Sequence, residues 1–337
     1  MAMKNLMHRK TVLPYLLLIL ACLTASCSFR QPAHEAVSEL SNTASPEPQP
    51  SFDVSVLGSV ERNVVYCTAE DETELLMDVY YPAEYANAWP VMLFVHGGGW
   101  SSGSKNEFPL SGFTELGILG VSINYRLSPE VTFPAHIEDV KCAVRHLRAN
   151  AAVYNLDPDR ILAVGGSAGG HLVSLLGTTG DSGEFNTGPY LEFSSRVKAV
   201  VAISAPTDLG NWICDDPQKV EAYYFYVFDS TAKCNQPDEK ITAASPVTYV
   251  SAEDVPFLLL AGTADDVVPY QQSEILHQAL QEAGVSSQLM LVEGGDHGLS
   301  VAEHPEREAE VLRVIMDFML EQLELEVPAG YLEELEE

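Results

Sequence analysis

Six short, almost uninterrupted apolar runs punctuate the middle and the second half of the chain. They are VMLFV, GVSINY, RILAVGG, KAVVAIS, PFLLLAG and SQLMLVE, and they begin at residues 91, 120, 160, 198, 256 and 287. Continuous apolar runs of this length are typical of strands covered on both faces, as in a parallel sheet. Two earlier β-rich runs, NVVYCTA and ELLMDVYYP, are separated by a polar turn and predict a hairpin.

Longer amphipathic segments lie between these runs. Residues 134–154 and 306–323 each place their large apolar side chains on one helical face, in the first case Ile137, Val140, Val144 and Leu147. Strands that alternate with helices indicate a doubly wound α/β fold with a mostly parallel, eight-stranded sheet. The pattern predicts one such domain over residues 60–327, followed by an acidic tail at 328–337.

One irregular segment, residues 209–250, interrupts the alternation. It groups five aromatic residues between turn-forming residues: Tyr223, Tyr224, Phe225, Tyr226 and Phe228. Two interpretations stay open: a small cap over a functional site, or a buried helix that packs on the edge of the sheet.

Ser167 stands among glycines and alanines in AVGGSAGGHL, directly after an apolar run. Small residues there could serve packing alone. The segment Gly165 to Gly169 also fits the G-x-S-x-G elbow, in which a tight strand-to-helix turn exposes a nucleophilic serine. The motif is short, so the rest of the chain has to decide between these interpretations.

A serine nucleophile needs a base, and the base needs an acid that orients it. Asp265 and Asp266 follow one predicted strand, and His297 follows the next in the small-residue loop GGDHG. Their order along the chain matches that of hydrolases built around this elbow. His171 is a rival base, but it lies one turn along the helix after Ser167 and is interpreted as structural. Asp208 is a rival acid at an earlier strand end.

The segment LFVHGGGWSSG follows another strand and contains three consecutive glycines. Glycines let backbone N–H groups face a substrate and stabilise an oxyanion. A phosphate-binding loop is the alternative. Such a loop needs a following Lys-Ser/Thr pair or a G-x-G-x-x-G helix start, and the segment has neither in register.

Together, HGGGW, the elbow and GTADDVVPY resemble the α/β-hydrolases near hormone-sensitive lipase and the feruloyl-esterase-like carboxylesterases. The resemblance implies that Ser167 is the nucleophile, Asp265 the acid and His297 the base. It further implies that the N–H groups of Gly98, Gly99 and Ala168 form the oxyanion hole, that His96 shapes that loop, and that no cofactor or metal is needed.

The function expected from this resemblance is hydrolysis of short-chain carboxylic esters by a serine carboxylesterase. Acetyl or feruloyl groups on polysaccharide fragments are candidate substrates. An amidase or peptidase would use the same triad. A hydrolase fold that binds without turnover is the alternative from a different functional class.

The N-terminus places three basic residues before the apolar run at 12–27, which is too short for a typical spanning helix and predicts an export signal. The sequence before Cys27 resembles a bacterial lipoprotein signal, so residues 1–26 are expected to be removed and Cys27 to carry lipid. Cys22 is the weaker site, and ordinary secretion is the alternative. Residues 27–59 then form a flexible tether, and the protein lies at the outer face of the cytoplasmic membrane.

Acidic residues outnumber basic ones by 48 to 18, giving a formal charge of −30, which argues against nucleic acid or anionic lipid as a partner. Contact with a membrane is therefore expected only through the anchor, and oligomeric state is left open. Cys214 and Cys234 lie in one loop-like region, and an exported protein can oxidise such a pair to a disulfide. Two free thiols are the alternative. The spacing of cysteine and histidine suggests no structural metal.

Overall fold

In the computed structural model, residues 52–326 are described, apart from positions 109, 181, 212–216, 234–235, 302–303 and 305. The predicted signal, Cys22, Cys27, Cys214, Cys234 and the acidic tail lie outside the described residues. Within the described part of the chain, no helix is long and apolar enough to span a bilayer.

Within residues 52–326 as described, the sheet has eight strands, as the sequence predicts. They are β1 (Val60–Thr68), β2 (Glu74–Tyr80), β3 (Trp89–Val95), β4 (Leu119–Ile123), β5 (Leu156–Gly166), β6 (Ala199–Ile203), β7 (Phe257–Gly262) and β8 (Ser287–Val292). Their order across the sheet is β1-β2-β4-β3-β5-β6-β7-β8. The pairs β1–β2 and β2–β4 are antiparallel, and all other pairs are parallel.

The helices of the described residues are α1 (Ser111–Thr114), α2 (Ala135–Ala149), α3 (Ala151–Tyr154), α4 (Ala168–Thr179), α5 (Pro217–Phe228), α6 (Glu239–Ala243), α7 (Gln271–Glu282) and α8 (Glu306–Gln322). Short 3₁₀ turns occur at Val54–Val56, Leu209–Asn211 and Pro246–Tyr249. Helices α2 and α8 form where the amphipathic pattern predicts them, because one apolar face of each is buried against the sheet.

Alternate residues of β3 belong to two different hydrophobic cores. Val91, Leu93 and Val95 pack in the core shared with α2, α4 and α7, whereas Met92 and Phe94 pack in the core shared with α1 and α8. Side chains of a strand alternate between its faces, so a strand covered on both sides must be apolar throughout. This requirement explains the uninterrupted apolar runs.

A disulfide that the sequence analysis did not predict joins Cys67 on β1 to Cys142 on α2, with the two Cα atoms 6.4 Å apart. It crosses a sequence separation of 75 residues and ties the antiparallel edge of the sheet to the helical layer. The predicted pair, Cys214 and Cys234, lies outside the described residues and stays a prediction.

Candidate active site

Ser167 occupies a sharp turn between the last residue of β5 and the first residue of α4. Its backbone has φ 54° and ψ −122°, a region that costs a non-glycine residue about 1–3 kcal/mol. Its N–H donates to the Ile203 carbonyl over 2.8 Å. A Cβ on Gly169 would lie 2.1 Å from the Val95 carbonyl oxygen, so only glycine allows α4 to approach β3 so closely. The turn therefore holds the half-buried Ser167 side chain beyond the carboxyl end of the sheet.

Asp265 and His297 form a hydrogen-bonded pair on the loops that follow β7 and β8. The Asp265 side chain is fully buried, and its Oδ2 accepts from His297 Nδ1 over 2.7 Å. Its other oxygen, Oδ1, accepts from the N–H groups of Val267 and Val268. A carboxylate can only accept, so the imidazole proton lies on Nδ1 and the neutral ring keeps Nε2 as a free base.

Two hydrogen bonds to neighbouring residues of β6 and its following loop bring His297 and Ser167 to one place. Ser167 N–H donates to Ile203 O, and Ser204 Oγ donates to His297 O over 2.9 Å. The two loops of the acid–base pair are also joined, since the Ala264 N–H donates to Gly295 O. All three predicted triad residues thus lie at the carboxyl edge of the parallel strands.

The rival acids have other surroundings. Asp266 is exposed to solvent. Asp208 accepts hydrogen bonds from the side chain and the backbone of Asn211, at 2.7 and 3.3 Å. Of the three aspartates considered from the sequence, Asp265 is the one that the structure pairs with His297.

The glycine loop after β3 directs two backbone N–H groups away from its own interior. Gly97 O accepts from His96 Nδ1 and from the Tyr125 hydroxyl, and Gly98 O accepts from the N–H groups of Ser101 and Ser102. In a trans peptide the N–H points opposite to the carbonyl. The N–H groups of Gly98 and Gly99 therefore point out of the loop.

The same loop lies against the nucleophile elbow. A Cβ on Gly97 would be 3.5 Å from the Cβ of Ser167 and 3.1 Å from Gly166 O. Ala168 N–H, at the first turn of α4, has no partner within its helix, as at the start of any α-helix. The three predicted oxyanion donors, Gly98, Gly99 and Ala168, are thus carried by two segments that touch beside Ser167.

His96 supports the loop from below. Its ring stacks on Tyr125 with 4.3 Å between centroids, and its Nδ1 donates to Gly97 O over 2.8 Å. Complete burial lowers the pKa of His96 to about 4, so the ring is neutral at physiological pH. His96 acts on the loop geometry, as the family resemblance implies, and not as a charge.

His171, the rival base, is fully buried and hydrogen-bonded at both ring nitrogens. Nδ1 accepts from Trp100 Nε1 over 3.1 Å, and Nε2 donates to the Ala244 carbonyl over 2.7 Å. Burial lowers the pKa of His171 to about 4. The histidine is therefore committed to internal hydrogen bonds, as its position in a buried helix indicated.

Helix α5, in the irregular insertion, combines features of both interpretations of that segment. Tyr224 and Phe228 are buried in the core, whereas Phe225 and Tyr226 are more than half exposed. Tyr223 lies over the glycine loop, with its ring 3.4 Å from the place that a Cβ on Gly99 would occupy. The helix thus packs on the domain and walls the site. Tyr223 is a site residue that the sequence does not reveal, because helical periodicity alone does not show which flank of α5 meets the loop.

Among the described residues, no group of three or more His, Cys, Asp or Glu side chains is arranged to hold a metal ion.

Several known proteins that are similar to this chain are named esterases. The BD-FAE family matches residues 77–280. Esterase LipQ of Mycobacterium tuberculosis is 35% identical over 219 residues, which cover 64% of this chain and 51% of that protein. The chain therefore spans about half the length of this curated relative.

Two solved structures share the fold. A truncated carbohydrate esterase from gut microbiota has a TM-score of 0.70 and 28% identity, and the match covers 82% of this chain and 100% of that one. A bifunctional GH43-CE protein of Bacteroides eggerthii has a TM-score of 0.65 and 30% identity, with 78% of this chain and 38% of that chain covered.

Proposed function

This chain belongs to the BD-FAE family, and from that premise we propose that it is a serine carboxylesterase that hydrolyses short-chain carboxylic esters. One observation carries the proposal: His297 Nδ1 is bonded to the buried Asp265, which leaves Nε2 as a base at the sheet edge that carries Ser167. Relatives named as esterases support the same activity.

In the proposed mechanism Ser167 Oγ attacks the ester carbonyl while His297 Nε2 takes its proton. Asp265 stabilises the imidazolium that forms. The carbonyl oxygen becomes an oxyanion, which accepts hydrogen bonds from the N–H groups of Gly98, Gly99 and Ala168. His297 then returns the proton to the leaving alcohol. Water, activated by the same histidine, releases the acid from the acyl-enzyme.

The proposed substrates are small esters or acylated oligosaccharides that carry acetyl or feruloyl groups. Two structural neighbours, the truncated carbohydrate esterase and the bifunctional GH43-CE protein, support the carbohydrate class of substrate. Tyr223 stands beside Gly99 as a wall of the site, and this supports a small acyl group.

We further propose that the protein is exported and anchored by lipid on Cys27. The Cys67–Cys142 disulfide supports an oxidising compartment. Phe52 lies inside the predicted tether, residues 27–59, but it packs edge-on against Trp89 with 5.2 Å between ring centroids, so the folded domain already includes residue 52. Trp89 begins β3, whereas the glycine loop follows the end of β3, about 20 Å away. The proposed tether would therefore join the folded domain at the end of β3 that is distant from the glycine loop.

The test is turnover of p-nitrophenyl esters from acetyl to dodecanoyl, acetylated and feruloylated xylan fragments, and an aryl amide. We expect the short esters to react fastest. Ser167→Ala should abolish turnover, because it removes only the nucleophilic oxygen. Ser174→Ala is the matched control, since Ser174 is buried in the helix that follows Ser167 and its hydroxyl donates to the Gly170 carbonyl.

Each result has a clear meaning. Turnover in Ser167→Ala within tenfold of wild type would overturn the mechanism. Faster cleavage of the amide than of every ester would favour an amidase or peptidase. A folded wild-type protein that binds these compounds and turns over none of them would favour a binding protein.

A further inference from the structure

His171 connects three parts of the molecule that meet around the proposed oxyanion hole. It lies in the first turn of α4, and its N–H donates to the carbonyl of Ser167 over 2.9 Å. Its ring bonds on one side to Trp100, which follows Gly99 directly, and on the other side to Ala244, in the 209–250 insertion. The ring is fully buried.

The protons of this contact can be assigned. An indole Nε1–H can only donate, so Nδ1 of His171 must be the acceptor and Nε2 must carry the proton. Nε2–H then matches the Ala244 carbonyl, which can only accept. One neutral tautomer satisfies both bonds, and neither a protonated ring nor the other tautomer can do so.

Aromatic side chains of α5 close the same contact from the insertion side. Phe228 meets Trp100 edge-on with 5.2 Å between centroids and lies 6.3 Å from the His171 ring. Tyr223 meets Trp100 at 6.1 Å. The Trp100 indole is thus held between the nucleophile helix and the insertion, and it is 2% exposed. Protein interiors are close-packed, so a substitution in the residues on one side of the Trp100 indole displaces the ring.

We infer that His171 is a positioning residue that couples the 209–250 insertion to the oxyanion loop through Trp100. A displacement of the Trp100 backbone moves the adjoining residue Gly99, whose N–H is a proposed donor. Such donors act on the transition state, so a misplaced one lowers kcat more than it changes KM. This inference rests on the proposed esterase function.

The experiment compares His171→Leu with His171→Gln on p-nitrophenyl acetate. Leucine fills space but forms neither bond, and we expect kcat to fall about tenfold or more while KM changes less than threefold. Glutamine can donate and accept, so it should recover part of kcat. His146→Leu is the matched control, because His146 is a buried histidine of α2 whose ring bonds to Tyr154. It should lose stability and keep kcat.

Trp100→Phe provides a second route that removes the indole N–H and keeps an aromatic ring. It should lower kcat in the same way. Combining it with His171→Leu should lower kcat little further, because both variants remove the Trp100–His171 hydrogen bond. If His171→Leu fails to fold, the kcat and KM of Trp100→Phe alone test the inference.

The inference is overturned if folded His171→Leu, or Trp100→Phe in its place, keeps kcat within twofold of the His146→Leu control. It is also overturned if the fold-loss of kcat in the double variant equals the product of the losses in His171→Leu and Trp100→Phe. Both outcomes concern variants that retain Ser167. They are therefore distinct from failure of the proposed function, which appears as turnover in Ser167→Ala or as a wild type that hydrolyses none of the esters.

Discussion

Asp265 Oδ2 lies 2.7 Å from His297 Nδ1, and the buried carboxylate has its other oxygen fully engaged by two backbone N–H groups. These contacts fix both the position of the acid and the tautomer of the histidine. The neighbouring Asp266 is exposed and has a different environment, although it is adjacent in the chain.

The first prediction compares amide replacements of these two aspartates. Asp265→Asn should lower turnover of an acetyl ester by about 10⁴-fold, because an amide that donates to the ring favours the wrong tautomer. Asp266→Asn should cost no more than a few-fold. The measurement is kcat/KM for both variants. A severe loss in Asp266→Asn with a mild one in Asp265→Asn would reverse the assignment, and mild losses in both would point to Asp208.

The second prediction concerns the glycine loop. Gly98 has φ +101°, and a Cβ there would lie 2.2 Å from the Ser102 carbonyl oxygen. Gly98→Ala should therefore displace the loop and lower kcat by about 10²- to 10³-fold, the cost of a lost oxyanion donor. Gly117→Ala is the control, since Gly117 has φ +76° and open space around it. Gly117→Ala should lower the unfolding free energy through the positive φ alone and should keep the kcat of the wild type. Equal kcat in both variants would contradict the proposed role of Gly98.

The third prediction is a pH dependence of stability. Burial lowers the pKa of His146 to about 4, against about 6.5 in an unfolded chain. Between these values the unfolded chain binds a proton that the folded protein excludes. The stability held by neutral His146 is therefore complete above pH 6.5 and is lost as the pH falls through 4.

The measurement is urea unfolding of the wild type and of His146→Gln from pH 7.5 to 4.5. Other titrating groups are shared by both proteins, so the difference between their unfolding free energies reports on His146. The difference in unfolding free energy between the two proteins should shrink by up to about 1.4 kcal/mol for each pH unit below 6.5. A difference that stays constant over this range would show that His146 is not buried as a neutral ring.

The fourth prediction concerns the cysteines. Replacing Cys67 and Cys142 together by alanine should lower the unfolding free energy by about 2–5 kcal/mol, because the disulfide restricts a long loop of the unfolded chain. Reducing agent should remove this difference in unfolding free energy between the wild type and the double variant, because it opens the Cys67–Cys142 disulfide only in the wild type. Equal stability of the oxidised wild type and the double variant would contradict this prediction.

Thiol mapping by mass spectrometry on unreduced protein extends this test to the pair predicted from the sequence. A peptide linked through Cys214 and Cys234 is expected. Alkylation of both residues before reduction would rule that disulfide out.

The fifth prediction places lipid on Cys27. Radiolabelled fatty acid should enter the full-length protein in a bacterial host, and Cys27→Ser should remove the label. Cys22→Ser is the matched control and should keep it. A label that persists in Cys27→Ser and is lost in Cys22→Ser would move the site, and the absence of label in wild type would favour ordinary secretion.

The sequence alone determined the eight strands and the helices α2 and α8, because continuous apolar runs and amphipathic periodicity are local properties of the chain. It also located the Ser167 elbow, since a strained turn packed against β3 requires small residues on both sides of the serine. The order of strands along the chain then narrowed the candidates for the catalytic acid and base, because the loops that follow parallel strands meet at one edge of the sheet.

Only the tertiary structure decided which side chains touch across those loops. Asp265 and Asp266 leave the strand as neighbours, and the family resemblance favoured Asp265, but the direction of each carboxylate depends on the packing of the β7 and β8 loops. The same holds for the Cys67–Cys142 disulfide and for the contact of Tyr223 with the glycine loop. These contacts join residues far apart in sequence, and the three-dimensional path of the chain, which no local pattern encodes, brings them together.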